Sequence, residues 1–401
     1  MNMNQTPSTN RVHIAFFGLR NAGKSSLMNA VTGQNIAVVS AVKGTTTDPV
    51  AKSMELLPLG PVNIIDTAGL DDTGNLGALR IEKTMQVLRK TDIAVFVADG
   101  TEFVKSGLKN AEQQIIKLFA ERSLPYIVAL NKWDLVNGSD EIKLAENYLP
   151  VSAVTGSGIY ELKEKLAHLT KAAPEKYILK DLVLPGQTAV LVIPIDKAAP
   201  KGRLILPQQQ VIRELLDIGA CAVMTQDVNL AQTLQNLKEK PSLVITDSQA
   251  FGKVNAVVPQ DIPLTSFSIL FARYKGNLKK QLVAVKTLDK LQDGDNVLIS
   301  EGCTHHRQCD DIGTVKLPGW IEQYTKVKPH FSYTSGGEFP QDLAKYKMVI
   351  HCGACMLNQR EMQSRLKTAQ MQHVPMSNYG MVIAYTHGIL KRSLQIFPEL
   401  S

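Results

Sequence analysis

Five side chains near the C-terminus are of the types that bind soft metals. They are Cys303 and His305 in Cys-Thr-His, and His351, Cys352 and Cys355 in His-Cys-Gly-Ala-Cys. Thiolates and imidazoles suit a tetrahedral zinc ion as well as an iron–sulfur cluster. The ligand types leave both open, although zinc fingers usually have two tightly spaced pairs and only Cys352 and Cys355 are tightly spaced here. Cys309 is an additional candidate ligand, which we expect to be a bystander in the next helix.

Two strands must bring these cysteines together. Residues 297–300 and 347–350 are short apolar runs that predict strands, and one cysteine group follows each run. In an open α/β sheet the carboxyl ends of parallel strands line one crevice, so the two groups should converge there. Gly302 and Gly353 would keep the backbone small beside the ligands, so that N–H groups can approach sulfur.

A second chemical motif lies near the N-terminus. A strand over residues 12–17 leads into Gly-Leu-Arg-Asn-Ala-Gly-Lys-Ser and then into a helix. In such a loop, backbone N–H groups and the helix N-terminus bind phosphates, Lys24 reaches the β- and γ-phosphates, and Ser25 ligates Mg²⁺. The predicted nucleotide-binding residues of this loop are Gly18, Asn21, Ala22, Gly23, Lys24, Ser25 and Ser26.

The residues that complete a phosphate and magnesium site follow in order. Thr45 and Thr46, in Gly-Thr-Thr-Thr-Asp, would contact Mg²⁺ and the γ-phosphate. Asp66 and Gly69, in Asp-Thr-Ala-Gly, follow another predicted strand and place a carboxylate near the metal. We assign catalytic roles to Lys24, Thr46, Asp66 and Gly69.

The base would be read by a third motif. Asn131, Lys132 and Asp134 follow a strand over residues 126–130, and the Asp134 carboxylate can accept from guanine N1 and N2, which adenine cannot match. Ser152 and Ala153 would complete the guanine pocket after a further short strand. The sequence therefore predicts GTP or GDP with magnesium.

The hydrolysis rate and its cation dependence are also predicted. Leu70 stands where small Ras-type GTPases place a glutamine that orients water, so intrinsic hydrolysis should be slow. Asn21 and the Gly-Thr-Thr-x-Asp run resemble the bacterial TrmE/Era/EngA group, in which such residues bind potassium. The resemblance implies potassium-stimulated hydrolysis with Asn21 as a potassium ligand; the alternative is that Asn21 only caps the turn.

Composition limits the class of protein. The chain has 401 residues, of which 44% are hydrophobic and 20% charged, and its five cysteines suggest a reducing, cytoplasmic location. The polar N-terminus and the lack of a long apolar run predict no signal peptide and no membrane span.

The excess of basic over acidic residues that gives the net charge of +7 lies entirely beyond residue 175. These basic residues form either a solvated surface or a docking face for an acidic partner or an anionic cluster. Because the chain has no basic run and no interleaved aromatic residues, we do not expect it to bind nucleic acid.

Three α/β domains are predicted. Residues 1–173 form a doubly wound P-loop GTPase domain, residues 177–260 a small α/β dimerisation domain and residues 262–401 an α/β cluster-binding domain. The middle domain carries no catalytic set, which suggests docking or self-association. Cys221, in the apolar run Ala-Cys-Ala-Val-Met, is expected to be a buried core thiol.

These features together resemble the HydF family of [FeFe]-hydrogenase maturation GTPases over essentially the full length. The resemblance implies that Cys303, Cys352 and Cys355 hold a [4Fe–4S] cluster with one exchangeable iron site. His305 and His351 are candidate fourth ligands, and an acidic residue or a small exogenous ligand are the alternatives.

The resemblance also implies partners. The chain would be a homodimer that takes up a two-iron precursor of the hydrogenase cofactor, made with the maturases HydE and HydG, and delivers it to apo-hydrogenase HydA. GTP hydrolysis would tune partner association. Two other functions stay open: a ribosome- or tRNA-associated GTPase with a structural zinc, and a redox enzyme whose cluster has Cys309 as a fourth thiolate.

Overall fold

Parallel strands alternate with helices along the chain, as the sequence predicts. The structure, a computed structural model, describes residues 8–34, 50–67, 84–137, 142–171, 176–195, 204–303 and 311–400. The chain divides into two compact units, Met1–Glu175 and Lys176–Ser401. Both are mixed α/β units, so the predicted fold class is confirmed.

The first unit is built on one six-stranded sheet. Its strands are β1 (Val12–Phe17), β2 (Val50–Leu56), β3 (Gly60–Asp66), β4 (Ile93–Asp99), β5 (Tyr126–Asn131) and β6 (Tyr148–Pro150). Its helices are α1 (Lys24–Thr32), α2 (84–90), α3 (Gly100–Ser106), α4 (Asn110–Glu121) and α5 (Ile159–Lys171). The strand order is β2-β3-β1-β4-β5-β6, and the β2–β3 pair is antiparallel while the other pairs are parallel.

The two faces of this sheet pack against separate apolar clusters. Ile14 and Phe16 of β1 pack into one cluster, whereas Ala15 and Phe17 pack into the other. Strands buried on both faces are continuously apolar, which is why β1 and β5 were recognisable in the sequence. The carboxyl ends of β1, β3 and β5 meet at one edge, where open α/β sheets bind ligands.

The second unit contains two four-stranded parallel sheets. Its strands are β7 (Thr188–Val192), β8 (Cys221–Thr225), β9 (Leu243–Thr246), β10 (Leu264–Ser266), β11 (Asn296–Ser300), β12 (His330–Thr334), β13 (Met348–His351) and β14 (Met376–Asn378). Its helices are α6 (Leu206–Ile218), α7 (Leu230–Asn236), α8 (Phe251–Val257), α9 (Phe267–Lys275), α10 (Leu278–Val285), α11 (Leu317–Thr325), α12 (Gln359–Met371), α13 (Tyr379–Thr386) and α14 (Leu390–Leu394). The strand orders are β10-β9-β7-β8 and β12-β11-β13-β14.

One apolar core joins the two sheets of this unit. Val190 and Ile245 of the first sheet belong to the same buried cluster as Val297 and Ile350 of the second. The first sheet also takes in β10, which lies beyond residue 260, the limit set for the middle domain from the sequence. The predicted three-domain boundaries stay a prediction.

Cys221 is exposed, so its predicted burial is wrong. The reason is the place of its strand: β8 is an edge of its sheet, and Cys221 and Met224 of this strand are exposed. The apolar run was correctly taken for a strand, but periodicity does not distinguish a central strand from an edge strand.

The described helices are short. The longest of them, α5, α6 and α12, have 13 residues each, whereas a membrane-spanning helix needs about 20. In the part of the chain that the structure describes, no helix has both the length and the apolar character needed to cross a bilayer.

Candidate functional site

The P-loop connects β1 to α1. Gly18 and Gly23 have φ of 151° and 85°, and a Cβ at either residue would lie 2.3 Å from its nearest neighbour, a carbonyl oxygen of β4 and Nδ2 of Asn131 respectively. Lys24 Nζ donates to the carbonyls of Gly18 and Leu19 at 2.9 and 3.0 Å. Both glycines are therefore required by backbone conformation and by space, and the lysine ammonium lies across the loop where phosphates bind.

Ser25, a predicted magnesium ligand, lies beside Asp66, the carboxylate predicted to lie near the metal. Ser25 Oγ donates to Asp66 Oδ2 at 3.1 Å, which joins α1 to the end of β3. Asp66 is buried, and burial raises the pKa of its carboxyl while Ser25 and Lys24 oppose that rise. In the described structure the buried Oδ1 atom of Asp66 accepts no hydrogen bond. A hydroxyl beside a buried carboxylate oxygen without a donor fits a hard, oxygen-seeking cation such as Mg²⁺.

Asn131 ties the P-loop to the base-binding loop. It is 2% exposed, and its Nδ2 donates to Ala22 O at 3.0 Å. Its Oδ1 accepts from the Ala153 backbone N–H at 3.1 Å. The buried amide joins three loops through these two hydrogen bonds, so Asn131 holds the pocket together.

The other base-pocket residues are more open. Asp134 is exposed, as a carboxylate that reaches a ligand should be. Lys132 Nζ forms an ion pair with Asp99 Oδ2 at 2.6 Å; although burial acts against it, this pair and Thr101 hold the pKa of Asp99 below its usual value. Ser152 Oγ accepts from the N–H groups of two following residues at 3.3 and 3.1 Å. Sequence reasoning missed Asp99, although it ends an apolar strand at the same sheet edge.

The remaining predicted nucleotide residues are partly described. Asn21 is exposed and has φ of 61°, in the left-handed region that asparagine tolerates, and Ser26 lies in the first turn of α1. Several predicted residues lie outside the described part of the chain: Thr45, Thr46, Gly69, Leu70, His305 and Cys309.

The cysteine site lies at the carboxyl edge of the second sheet of the second unit. β11 and β13 are parallel neighbours, and Ser300 pairs with His351 at their ends. Cys352 N–H donates to Ser300 O at 2.9 Å, and Cys303 O accepts from Gly336 N–H at 3.2 Å. The two cysteine groups therefore follow adjacent strands, as the sequence predicts.

Backbone N–H groups surround the Cys352 sulfur. Gly302 N–H and Ala354 N–H donate to Cys352 Sγ at 3.1 and 3.4 Å. Burial and the nearby Cys355 and Cys303 raise the pKa of the Cys352 thiol to about 12, and the two N–H groups oppose that rise. A bound metal would supply the positive charge that keeps this sulfur a thiolate. A Cβ on Gly302 would lie 2.7 Å from Leu357 Cγ, so only glycine fits there without displacing the leucine.

Lys275 is the unexpected member of this site. It ends α9 and is 1% exposed, and its Nζ donates to the carbonyls of Ala354, Cys355 and Leu357 at 3.0, 3.2 and 2.7 Å. Burial lowers the pKa of Lys275 to about 8, while Cys355 and Cys352 oppose the change. Burial likewise raises the pKa of the Cys355 thiol, and Lys275 opposes that rise. The only signal in the sequence is a lysine at the end of a mostly apolar helix.

His351 has partners on both ring nitrogens. Nδ1 lies 2.9 Å from Cys352 O, and Nε2 lies 3.0 Å from Arg365 Nη1. Since a guanidinium can only donate, Nε2 must be the acceptor and Nδ1 carries the proton. Burial, reinforced by Arg365, lowers the pKa of His351 to about 3. The imidazole is therefore neutral and already engaged in this arrangement.

Arg365 fixes that histidine from α12. It is 1% exposed, and its Nη2 donates to Gly336 O at 2.6 Å and to Glu361 Oε1 at 2.8 Å. Gly336 N–H in turn donates to Cys303 O, so one buried guanidinium connects the surroundings of both cysteine groups. Sequence reasoning missed Arg365, because an arginine in an amphipathic helix is normally solvated.

The donor types at this edge suit an iron–sulfur cluster, because three free thiols lie in the two groups and backbone N–H groups donate to one sulfur. Among the described residues, which include all three cysteines but not 304–310, no three Cys, His, Asp or Glu side chains are arranged to hold a metal ion.

Three family models match the chain. Residues 13–132 match a 50S ribosome-binding GTPase, residues 178–276 the hydrogen maturase F dimerization domain and residues 279–396 the hydrogen maturase F tetramerization domain. The last two together cover more than half of the chain and nearly all of the second unit.

Curated relatives share a shorter region. The tRNA modification GTPase MnmE of Polynucleobacter asymbioticus is 33% identical over 161 residues, which are 39% of this chain and 34% of that protein. MnmE of Chromobacterium violaceum is 37% identical over 163 residues, with 39% and 34% covered. The chain thus spans about a third of the length of these relatives. Among solved structures, Era in complex with MgGDPNP and a 16S ribosomal RNA fragment is 20% identical, with a TM-score of 0.36 over 54% of this chain and 91% of that chain.

Proposed function

The chain belongs to the hydrogen maturase F (HydF) family of GTPases, and we propose that it is a scaffold that carries an iron–sulfur cluster and delivers a two-iron precursor to apo-[FeFe]-hydrogenase. In this proposal HydE and HydG act before it and HydA receives the precursor. The proposed working parts are a GTP-binding domain (1–173), a dimerisation domain (177–260) and a cluster-binding domain (262–401).

The nucleotide site would bind GTP and GDP with Mg²⁺. Lys24 would neutralise the β- and γ-phosphates, Ser25 and Thr46 would ligate Mg²⁺, and Asp66 would orient the metal's ligands. The exposed, left-handed position of Asn21 in the P-loop supports a potassium ion beside the phosphates. Slow GTP hydrolysis that potassium accelerates would let the bound nucleotide act as a switch that changes the association of the chain with its partners.

The cysteine site would bind the cluster through Cys303, Cys352 and Cys355. When bound, a [4Fe–4S] cluster held by three thiolates supplies one iron with an exchangeable position, at which the two-iron precursor can be kept and released. Backbone groups of the chain would stabilise one of the thiolates. Gly302 and Ala354 donate their N–H groups to Cys352 Sγ, and these hydrogen bonds would stabilise the negative charge of that sulfur.

The hydrogen bonds of His351 affect whether it can be the fourth ligand of the cluster. To ligate iron through Nε2, this histidine would have to give up the Arg365 contact and leave a buried guanidinium without that acceptor. We therefore favour His305, or an exogenous ligand, at the fourth iron and assign His351 to positioning. Electron paramagnetic resonance of His305→Ala and His351→Gln separates these roles, because only loss of the fourth ligand should change the imidazole sensitivity of the signal.

One observation carries the proposal: β11 and β13 are adjacent, so the two cysteine groups leave the same sheet edge in a chain that also has a guanine-nucleotide site. Anaerobic reconstitution with iron and sulfide tests it, followed by iron analysis, electron paramagnetic resonance and activation of apo-HydA after loading with a synthetic two-iron precursor. We expect about four irons per chain and active hydrogenase.

Matched cysteine variants sharpen this test. Cys352→Ser should abolish the cluster, whereas Cys221→Ser, which changes an exposed cysteine of the same unit outside the site, should not. A protein that binds zinc and no iron would instead favour a GTPase with a structural metal. A cluster that survives Cys352→Ser, or a loaded protein that fails to activate HydA, would refute the proposal.

We further propose that the chain self-associates through β8. Cys221 N–H donates to Gln187 O and Thr225 O accepts from Ile193 N–H, at the residues that flank β7. Because the groups alternate along the strand, the N–H groups of Ala222 and Met224 point outwards. Met224 is 54% exposed on this edge. An unpaired edge with exposed apolar side chains is the surface through which a second copy could extend the sheet.

Proline substitutions on the two sides of β8 test this interface. Ala222→Pro removes an outward N–H and should reduce the dimer to monomer in light scattering while circular dichroism stays unchanged. Val223→Pro removes an N–H that faces β7 and should destabilise the fold itself. An unaltered dimer mass in Ala222→Pro would exclude β8 as the interface. The exposed Cys221 and the free thiols of the site support a reducing, cytoplasmic location.

A further inference from the structure

Lys275 connects two parts of the second unit that different family models match. It lies within residues 178–276, whereas all three proposed cluster cysteines lie within residues 279–396. Its side chain leaves the end of α9 and reaches the backbone of Ala354 and Cys355, 79 and 80 positions later in the chain. The residue therefore links the segment that matches the dimerization model to the cysteine loop, although both lie within the proposed cluster-binding domain (262–401).

The contacts of Lys275 leave the ammonium little freedom. A protonated lysine has three N–H donors, and three loop carbonyls, those of Ala354, Cys355 and Leu357, lie within hydrogen-bond distance. The backbone behind it is also fixed, because Gln363 Nε2 donates to Lys275 O at 2.7 Å. A buried ammonium with fixed partners keeps its charge at one place beside the loop.

Among the residues that the structure describes, no carboxylate forms an ion pair with this ammonium. Its neighbours are carbonyl oxygens, the ring of Phe271 at 5.4 Å and the sulfurs of Cys355 and Cys352, which interact with it electrostatically. A lysine is almost never fully buried without an anion. With a cluster bound, the thiolates of Cys352 and Cys355 would be the anions beside this position.

We propose that Lys275 is a positioning residue that shapes the Cys352–Cys355 loop and places a fixed positive charge beside the cluster thiolates. This inference rests on the proposed function, because it requires the cluster. The charge stabilises the more negative, reduced cluster relative to the oxidised one, so it raises the reduction potential of the one-electron couple.

The test is a redox titration of the reconstituted full-length protein, with dithionite as the electron donor and electron paramagnetic resonance as the signal. Lys275→Met keeps the length of the side chain but removes the charge, and Lys275→Gln keeps N–H donors without the charge. We expect both variants to lower the equilibrium constant for reduction of the cluster at least tenfold. This corresponds to a reduction potential that is lower by about 59 mV for one electron. Lys275→Arg should restore the potential. Lys280→Met, the same change at an exposed lysine that donates to Gln370, is the matched control.

The outcomes are distinct. If the clusters of Lys275→Met and Lys275→Gln keep the reduction potential of the unaltered chain, this inference is wrong while the proposed function still stands. Loss of the cluster from both neutral variants, with circular dichroism unchanged, would support the positioning role, whereas global unfolding of both would reveal a structural role and overturn it. If the unaltered chain assembles no iron–sulfur cluster, the proposed function fails and this inference falls with it.

Discussion

The buried neutral His351 predicts that the second unit loses stability in acid. The pKa of this imidazole is about 3 in the folded chain, because of burial and the adjacent Arg365, and about 6.5 when exposed. Below about pH 6.5 the unfolded chain therefore takes up a proton that the folded chain refuses. The stabilising effect of the depressed pKa is complete above about pH 6.5 and is lost as the pH falls towards 3.

The size of the loss follows from the two pKa values. Relative to pH 7.5, the His351 contribution to the free energy of unfolding should fall by about 1 kcal/mol at about pH 5.5 and by about 3 kcal/mol at about pH 4.5. Other groups titrate in the same range. The difference between the unaltered chain and His351→Gln isolates the histidine, because glutamine can still accept from Arg365 but does not titrate.

Urea unfolding followed by Trp320 fluorescence measures this difference. The chain has two tryptophans, one in each unit, so a Trp133→Phe background makes Trp320 report on the second unit alone. The metal-free protein should be used, so that metal binding does not compete with protonation. His373→Gln, which removes an exposed histidine, controls for loss of an imidazole.

Two results would refute the reasoning. If His351→Gln kept the full acid sensitivity of the unaltered chain, His351 would not be the buried neutral group described above. If the unaltered chain gained stability towards pH 5.5 relative to the variant, His351 would be protonated when folded. That outcome would mean that Arg365 does not donate to its Nε2 atom.

Three further predictions concern other parts of the two sites. Gly302→Ala places a Cβ 2.7 Å from Leu357 Cγ and should cost about 1–3 kcal/mol in urea unfolding, whereas Gly353→Ala, with its nearest atom at 3.6 Å, should cost much less; equal costs would contradict the packing argument. Asp134→Asn should weaken GTP binding by about 10- to 100-fold and favour the xanthine nucleotide in competition binding; unchanged GTP affinity would mean that Asp134 does not read the base. Asn21→Ala should lower the GTPase rate in potassium to the rate in sodium; equal rates in the two salts for the unaltered chain would remove the potassium site.

Local sequence predicted much of the second unit because its buried strands are apolar. β11 begins one residue before the expected range, and β13 begins and ends one residue after it. β12 and β14 were missed, because His-Phe-Ser-Tyr-Thr and Met-Ser-Asn contain too few apolar residues to predict a strand. These segments are strands because they pair with β11 and β13.

The nucleotide site was the most predictable part. A P-loop must combine glycines, a lysine and a helix start within a few residues, so its chemistry is contiguous in the sequence. Asp99 was missed although it pairs with Lys132, since the pair joins positions 33 residues apart. Asn131 was predicted as a base-pocket residue, and its contacts with Ala22 and Ala153, which hold the pocket together, join positions too far apart to be read from the motif.

The sequence by itself determined the ligand types, the P-loop and the strands that precede each cysteine group, because these depend on neighbouring residues. Tertiary structure alone decided that Cys221 lies on a sheet edge, that His351 is held neutral by Arg365, and that Lys275 is buried against the cysteine loop. Those properties depend on which distant segments pack together. A side chain's burial and its partners set its charge and its availability, and neither can be read from its neighbours in the chain.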